Sequence, residues 1–462
     1  MNAKEKISYL FDKDSINLEV CESKSGFLLG FGTIEHRKTY FIVFNKDEKP
    51  SSLFSDFERL NKFLKNIHVK PAPLVLMMDI PSSHQAAQKS PFPDDAEKLL
   101  ASENGVGNWY YNHATLSGKV PQTCVVFDKM GAALTFPIAL CDTATMIESA
   151  GMSIGRLDVV SKILHKDLEY DELGGARLHA EKSASIDWVA HDESSALAYA
   201  KKYLSYLPEQ SGKPLPQKEF TYSSSIPLEY MIPNNPLHTL DMDVIVDALC
   251  DDNSFLELKK SSAKEIITGF ATFNGHVAGV MANRSKENSG IFFPHTSQKA
   301  SRFISLCDAF GIPIVFLSDA PGFMVGGEVE SAGSIKSAAQ LFSTISNATT
   351  AKYSIAMRRT YTAGLYAMGG GGLMPDRFVA LPSAIISIYG EAVAKQLMQA
   401  SDDEQKEHAN KIIESSHAPQ HFLDMGLIDK IVKYDELRDD IISFVSKYQD
   451  GKRSSKRAIQ II

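Results

Sequence analysis

The sequence lacks most of the features that would assign a function class at once. Its five cysteines, Cys21, Cys124, Cys141, Cys250 and Cys307, are odd in number, widely spread and never spaced as CxxC. That argues against a disulfide framework or a thiolate zinc site and reads as buried thiols in a reducing, cytoplasmic setting. No run of about 20 apolar residues is present to span a bilayer, and the charged start MNAKEKISYLFDKDS has no secretory hydrophobic region. Basic excess is missing too: 48 Lys and Arg against 56 Asp and Glu leave a net charge of −8, the wrong sign for a nucleic-acid binder. Small acidic ligands stay open, since a local basic patch suffices for them. There is no GxxxxGK[ST], no GxGxxG at the right place after a strand and no GxSxG, which removes the phosphate loops and the hydrolase nucleophile elbow. The 13 histidines show no metal-ligand spacing, so no metal site is expected. His84 after DIPSS and His295 in FFPHTS read first as loop histidines. EYDELGGAR (Glu169 to Arg177) lacks EF-hand spacing and reads as a solvated turn, and KRSSKR (Lys452 to Arg457) as a solvated tail.

What is present is repetition. A chain of 462 residues, 44% hydrophobic and 23% charged, fits two globular domains or one duplicated domain. LFDKDSINLEV from Leu10 echoes LCDDNSFLEL from Leu249. GFGTIEHRKTYFIVFN from Gly30 echoes GFATFNGHVAGVMAN from Gly269, and PLVLMMDIPSS from Pro73 echoes PIVFLSDAPGF from Pro313. Each match is weak alone, but three in one order, all about 240 residues apart, predict two tandem copies of one fold. The copies span 1–207 and 241–462. Between them, 208–240 carries prolines at 208, 214, 216, 227, 233 and 236 and reads as the connection. Buried strands are expected at TYFIVFN, PLVLMMD, TCVVFD, IVFLSD and KYSIAM, with helices between them, which gives an α/β fold.

Two corners of the second copy can carry chemistry. SDAPGFMVGGEVE (Ser318 to Glu330) follows one strand and RRTYTAGLYAMGGGG (Arg358 to Gly372) the next. Pro321 cannot donate a hydrogen bond, whereas Gly322, Gly326 and Gly327 tolerate positive φ and let a ligand approach the backbone. Small residues at Ala363 and Gly364 would leave the first N–H groups of a following helix open to an oxyanion. Close helix–strand packing accounts for the same residues equally well.

At this point the sequence resembles the carboxyltransferase (β) subunits of biotin-dependent acyl-CoA carboxylases, especially propionyl-CoA carboxylase β. AKEKISYLFDKDSINLE, DELGGARLHAEKSASIDWVAH, LSYLP, QKASRFISLCDAFGIP, SDAPGFMVGGEVESAG and RRTYTAGLYAM carry the likeness over nearly the whole chain. The resemblance implies two tandem crotonase-like ββα-spiral domains. It implies an enzyme that moves CO2 from carboxybiotin, held on a partner carrier protein, to the α-carbon of a coenzyme A thioester. No covalently bound cofactor is implied; biotin and the thioester are substrates. One backbone oxyanion hole per copy would stabilise the enolate-like thioester oxygen and the ureido oxygen of biotin. Carried over by position, these holes fall on Ala363 and Gly364, and on Ala132 and Ala133 in KMGAALTF. Tyr366 falls where the family has a residue that helps choose the acyl chain. Pro321, Gly322, Phe323 and Arg302 are kept, and His84 stands in place of an arginine. A biotin carboxylase and biotin carrier as partners, and a homo-oligomer (dimer or hexamer), are implied as well.

The departures fall mostly in the first copy. The family's N-terminal helical arm is not matched, its DSGGAR is here DIPSSH (Asp79 to His84), and Leu134 is bulkier than the family's Ala. Two other readings therefore stand beside carboxyl transfer. One is a decarboxylase of a malonyl- or methylmalonyl-type thioester, on coenzyme A or an acyl carrier protein. The other is a non-catalytic partner subunit.

Overall fold

In the computed structural model the described residues are 1–19, 25–44, 52–79, 95–155, 157–224, 226–233, 235–398, 403–452 and 459. The expectations for His84, for DIPSSH beyond Asp79, for Cys21 and for KRSSKR beyond Lys452 lie outside them. Two compact units emerge: Met1–Lys213 with Lys456–Ile461, of which Ile459 is described, and Pro214–Ser455.

Both units begin with the same construction. The first has β1 (Asn17–Leu18), β2 (Phe27–Ile34) and β3 (Arg37–Phe44); the second has β10 (Leu256–Glu257), β11 (Ile266–Phe273) and β12 (His276–Asn283). Asp12 N–H donates to Thr33 O at 2.8 Å, and Asp251 N–H to Thr272 O at 2.9 Å. The Asp12 carboxylate accepts the turn amides of Glu35 and His36 at 3.2 and 2.8 Å, as Asp251 accepts those of Asn274 and Gly275 at 2.9 and 2.8 Å. Each hairpin turns on two residues of positive φ, the geometry whose twist suits a tight β-hairpin. Gly30 pairs with Leu18 and Gly269 with Glu257. A Cβ on either glycine would lie 2.3 Å from a carbonyl oxygen of the short strand, Asn17 O or Leu256 O. The repeated glycine is thus required by the approach of β1 and β10.

The sheets continue in parallel from these hairpins. In the first unit β4 (Leu74–Met78), β5 (Gln122–Val126), β7 (Thr143–Ile147) and β9 (Trp188–Ala190) extend the order β1-β2-β3-β4-β5-β7-β9. β6 (Lys129–Gly131) and β8 (Gly151–Ser153) form a separate parallel pair. In the second, β13 (Ile314–Ala320), β14 (Lys352–Tyr361), β15 (Arg377–Ala380) and β17 (Lys430–Ile431) give β10-β11-β12-β13-β14-β15-β17, with β16 (Ile385–Ser387) on the end of β14. All five predicted strand segments fall in these sheets. The central strands read as continuous apolar runs because both their faces are covered, and Leu74 to Met78 are wholly buried. Helix α1 spans Ala3–Leu10. Helix α2 (Leu53–Val69) starts at Ser52, whose Oγ accepts from Ser55 N–H at 3.2 Å, and buries Phe57, Leu60, Leu64 and Ile67 at helical spacing. In the second unit α3 (Pro294–Phe310) and α4 (Ser334–Asn347) precede the two corners.

Two local readings change. The proline-rich stretch packs with the second unit from Pro214 onward: Leu215 N–H donates to Gln449 O at 2.8 Å, and Leu228, Ile232 and Leu240 enter that unit's core. EYDELGGAR is not a solvated turn. It forms helices Tyr170–Gly174 and Ala176–Glu181, with Gly175 bridged to Gly151 and Tyr170 Oη donating to Met130 O at 3.0 Å. Its apolar members Tyr170 and Ala176 found partners that acidic composition alone does not reveal. Cys124, Cys141, Cys250 and Cys307 are buried and unbridged. Among the described residues no helix is long and apolar enough to cross a membrane.

Candidate functional site

The best-formed corner lies at the carboxyl ends of β13 and β14, where parallel α/β sheets place their ligands. β14 runs through Tyr361 and turns directly into α5 (Thr362–Ala367). Thr362 takes φ of +43°, an unfavourable conformation for a β-branched residue. Its strain aims the first turn of α5 back over the end of β13. Gly364 is buried there: a Cβ on it would lie 3.0 Å from Ala320 Cβ, Ala320 O and Gly322 N. The amides of Ala363 and Gly364 belong to the first turn and so have no acceptor within the helix. The turn Ala320–Pro321–Gly322–Phe323, against which Gly364 packs, has positive φ at Gly322, +126°.

Side chains around this corner form an apolar wall. Phe292 stacks on Phe323 at 5.2 Å between ring centroids, Phe323 meets Phe342 of α4 edge-on at 5.9 Å, and Phe342 meets Tyr366 at 6.3 Å. Tyr366 is 43% exposed. The structure therefore gathers Gly322, Phe323, Ala363, Gly364 and Tyr366 around one place, with Pro321 in the turn. Arg302 stands on α3, partly exposed.

The end of α5 explains the glycine run. Gly369, at φ +65°, donates to Tyr366 O at 2.9 Å, and Gly370 donates to Leu365 O at 2.8 Å. This is the double hydrogen bond of a left-handed helix stop. Gly369 and Gly370 thus end the helix whose start forms the corner.

Beneath the corner lies a charged cluster that sequence reading did not assign. Asp319, fully buried, accepts from Arg358 Nε and Nη2 at 3.2 and 3.0 Å, and from Arg359 Nε and Nη2 at 3.0 and 2.8 Å. It also accepts from Arg359 N–H at 3.0 Å and from Ser285 Oγ. Burial alone would raise the Asp319 pKa, but hydrogen bonds and charge from Arg359, then Arg358, outweigh it and hold the carboxyl at about 2. Arg358 is tied further to Asn235 O and His238 O at 3.3 and 2.7 Å. The available signal was the aspartate repeated at the ends of β4 and β13, followed in the second copy by paired arginines one strand on.

The matching corner of the first unit is built differently. β5 and β6 replace one continuous strand, and Ala132–Leu134 form a single 3-10 turn before helix Phe136–Leu140. Leu74 pairs with Gln122 as Ile314 does with Lys352, and Lys129 with Gly151 as Arg359 does with Ile385. Counted from these pairs, Ala133 and Leu134 occupy the places of Ala363 and Gly364, one residue later than the pair Ala132 and Ala133. Tyr110 Oη donates to Ala133 O at 2.7 Å, and burial pushes the Tyr110 pKa up to about 12. Asp79 is answered by Lys6 of α1 at 2.5 Å, which also reaches Glu193 at 3.1 Å. A cavity of about 400 Å³ in this unit, lined by Phe31, Lys38, Tyr40 and Lys70, includes none of these corner residues. His295 is not a loop residue: it lies in the first turn of α3, with Nε2 3.3 Å from Glu265. Among the described residues no cluster of His, Cys, Asp and Glu is placed to hold a metal.

Comparison with known proteins gives these corners a context. The carboxyl transferase domain family matches residues 94–460. The uncharacterized carboxylase YngE of Bacillus subtilis is 31% identical over 467 residues, covering 96% of this chain and 90% of its own. The methylmalonyl-CoA decarboxylase subunit alpha of Veillonella parvula is 27% identical, covering 96% and 89%. Among solved structures, transcarboxylase 12S, described as a hexamer assembly with methylmalonyl-coenzyme A and methylmalonic acid bound, matches with a TM-score of 0.88. Its identity is 26%, over 99% of this chain and 91% of that one.

Proposed function

The chain belongs to the carboxyl transferase domain family, with two crotonase-like units in tandem, and from that premise we propose that it transfers a carboxyl group to the α-carbon of an acyl-CoA thioester. Carboxybiotin, brought as a substrate on a partner protein, supplies CO2 and, once decarboxylated, accepts the α-proton of the thioester; the resulting enolate carbon then bonds to that CO2. This chain's part is to hold the negative oxygens that this exchange creates. Backbone donors suffice, because fixed N–H groups in a desolvated corner need no reorganisation as charge develops. We assign the second-copy hole to Ala363 and Gly364 and the first-copy hole to the turn Ala132–Leu134. Tyr366 and Phe323 border the acyl group. Partners are a biotin carboxylase and a biotin carrier, and the working form is a homo-oligomer.

The observation that supports this reading is Gly364, packed against Ala320 and Gly322 in the first turn of α5, whose leading amides have no acceptor within the helix. A second reading, decarboxylation of a malonyl- or methylmalonyl-type thioester on coenzyme A or an acyl carrier protein, is favoured by the first copy. There Leu134 occupies the place of Gly364, a bulkier lining for a hole that must admit a second substrate. The purified protein incubated with [carboxyl-14C]methylmalonyl-CoA separates the two. Label passing to free biotin supports transfer, whereas CO2 loss independent of biotin supports decarboxylation. Neither product from a thioester that binds refutes both.

A further inference from the structure

Among the described residues, Arg359 shares one carboxylate with Arg358, so its charge is not fully neutralised. Its Nε and Nη2 donate to Asp319, and Nη2 also to Ser285 Oγ and Ser289 O at 3.0 and 3.1 Å. Its Nη1 donates to no described residue, and 14% of the side chain stays open. The neighbouring Arg358 is closed, at 1%, and already pairs with the same carboxylate. One carboxylate thus meets two guanidinium groups, leaving one positive charge in excess at the carboxyl ends of β13 and β14.

Position makes that excess useful. Arg359 precedes Ala363 by four residues, at most about 14 Å of chain. Asp319 precedes Ala320, the residue on which Gly364 rests. Two guanidinium groups sharing one buried carboxylate leave a partly buried excess charge, which an anion would offset. The fixed fork of a guanidinium matches a carboxylate, and Nε and Nη2 being held by Asp319 sets the direction of Nη1. We propose that Arg359 Nη1 binds the carboxylate of the carboxylated thioester, the group that the transfer adds or removes. This rests on the carboxyltransferase reading and adds to it the residue that distinguishes the carboxylated thioester from its parent.

Methylmalonyl-CoA and propionyl-CoA differ only by that carboxylate, so their binding to the full-length protein, measured by calorimetry, reads the contact directly. Wild type is expected to bind methylmalonyl-CoA more tightly by at least about tenfold, the worth of one charge-assisted hydrogen bond. Arg359→Gln should bring the two within about twofold by weakening methylmalonyl-CoA alone. Arg359→Lys, which keeps the charge without the fork, should fall between, and it supplies the reading if the glutamine variant does not fold. Equal weakening of both thioesters in the variants, or an unchanged preference, overturns the proposal. Equal binding of the two by wild type overturns it while leaving the transferase reading intact. Binding of neither overturns both.

Discussion

Gly364 is where the proposed chemistry depends on a single contact distance. A Cβ at this position meets Ala320 Cβ, Ala320 O and Gly322 N, all at 3.0 Å. Carbon contacts are comfortable at about 3.5–4.0 Å, so Gly364→Ala requires a shift of about half an ångström. The obstacles are backbone atoms and a methyl group on a buried strand end, none of which can swing away. The six-residue helix α5 is the lighter partner and will move, taking its first-turn amides with it. A misplacement of 1 Å costs about 100-fold in rate, and loss of one oxyanion donor about 10²–10³-fold. Gly364→Ala should therefore lower kcat by about tenfold and Gly364→Val by at least about 100-fold, with KM changing less than about threefold. Overpacking of this kind costs about 1–3 kcal/mol, so the melting temperature of either variant should fall by less than about 10 °C. Carboxyl exchange from labelled methylmalonyl-CoA, with melting followed on the same samples, measures both. A valine variant that turns over at near the wild-type rate, or a rate loss that only follows the loss of folded protein, would refute the reasoning.

Other consequences are structural. Thr362→Gly removes a left-handed β-branched residue and should raise stability by about 1 kcal/mol in urea unfolding. Gly30→Ala and Gly269→Ala each drive a Cβ into a carbonyl at 2.3 Å, and the two should cost similar amounts, at least about 1–3 kcal/mol, because the register is the same. Asp319→Asn strands two guanidinium groups around a neutral amide and should cost about 3–5 kcal/mol. The Asp319 pKa is depressed from 3.8 to about 2, so its contribution is full above about pH 5 and lost as pH falls toward 2. It is worth about 2–3 kcal/mol in full, of which about 1 kcal/mol is lost between pH 5 and 3, and the asparagine variant should lack that part of the acid slope in unfolding measured over this range. Lys6→Met removes the buried cation beside Asp79 and should also cost about 3–5 kcal/mol, yet leave the binding preference for methylmalonyl-CoA over propionyl-CoA within twofold of wild type.

Much of the fold was legible because its determinants are local and repeated. Asp12 and Asp251 tie the same hairpins, Gly30 and Gly269 admit the same short strands, and the apolar runs LVLMM of β4 and IVFL of β13 are too continuous to be anything but covered on both faces. The place of the second corner was legible too, since Ala363 and Gly364 follow a buried strand, but small residues there suit close packing as well as an oxyanion hole. Partnerships across strands were not. Nothing near Asp319 in the chain announces Arg358 and Arg359, and nothing near Asp79 announces Lys6, because each pair is set by sheet order. The step between Ala132–Ala133 and Ala133–Leu134 also needed register, which fixes equivalence one residue at a time. Gly369 and Gly370 had no role in the sequence because a helix stop is recognised by the hydrogen bonds it makes.

The aspartate at the end of the central strand shows how the two copies have parted. Asp79 and Asp319 occupy the same repeat position and are equally closed, at 2% and 0% exposure. The first is matched by a lysine from α1, with Glu193 close by, so no positive charge is left over. The second takes its cations from β14 itself and has one more than it needs. Lys129 holds the place of Arg359 in the first copy but lies over the Tyr170 ring at 4.7 Å instead of turning to the aspartate. The corner that keeps the compact Gly364 is therefore also the one that keeps spare charge. That excess is the reason for the proposal that an anionic substrate group settles at the second copy.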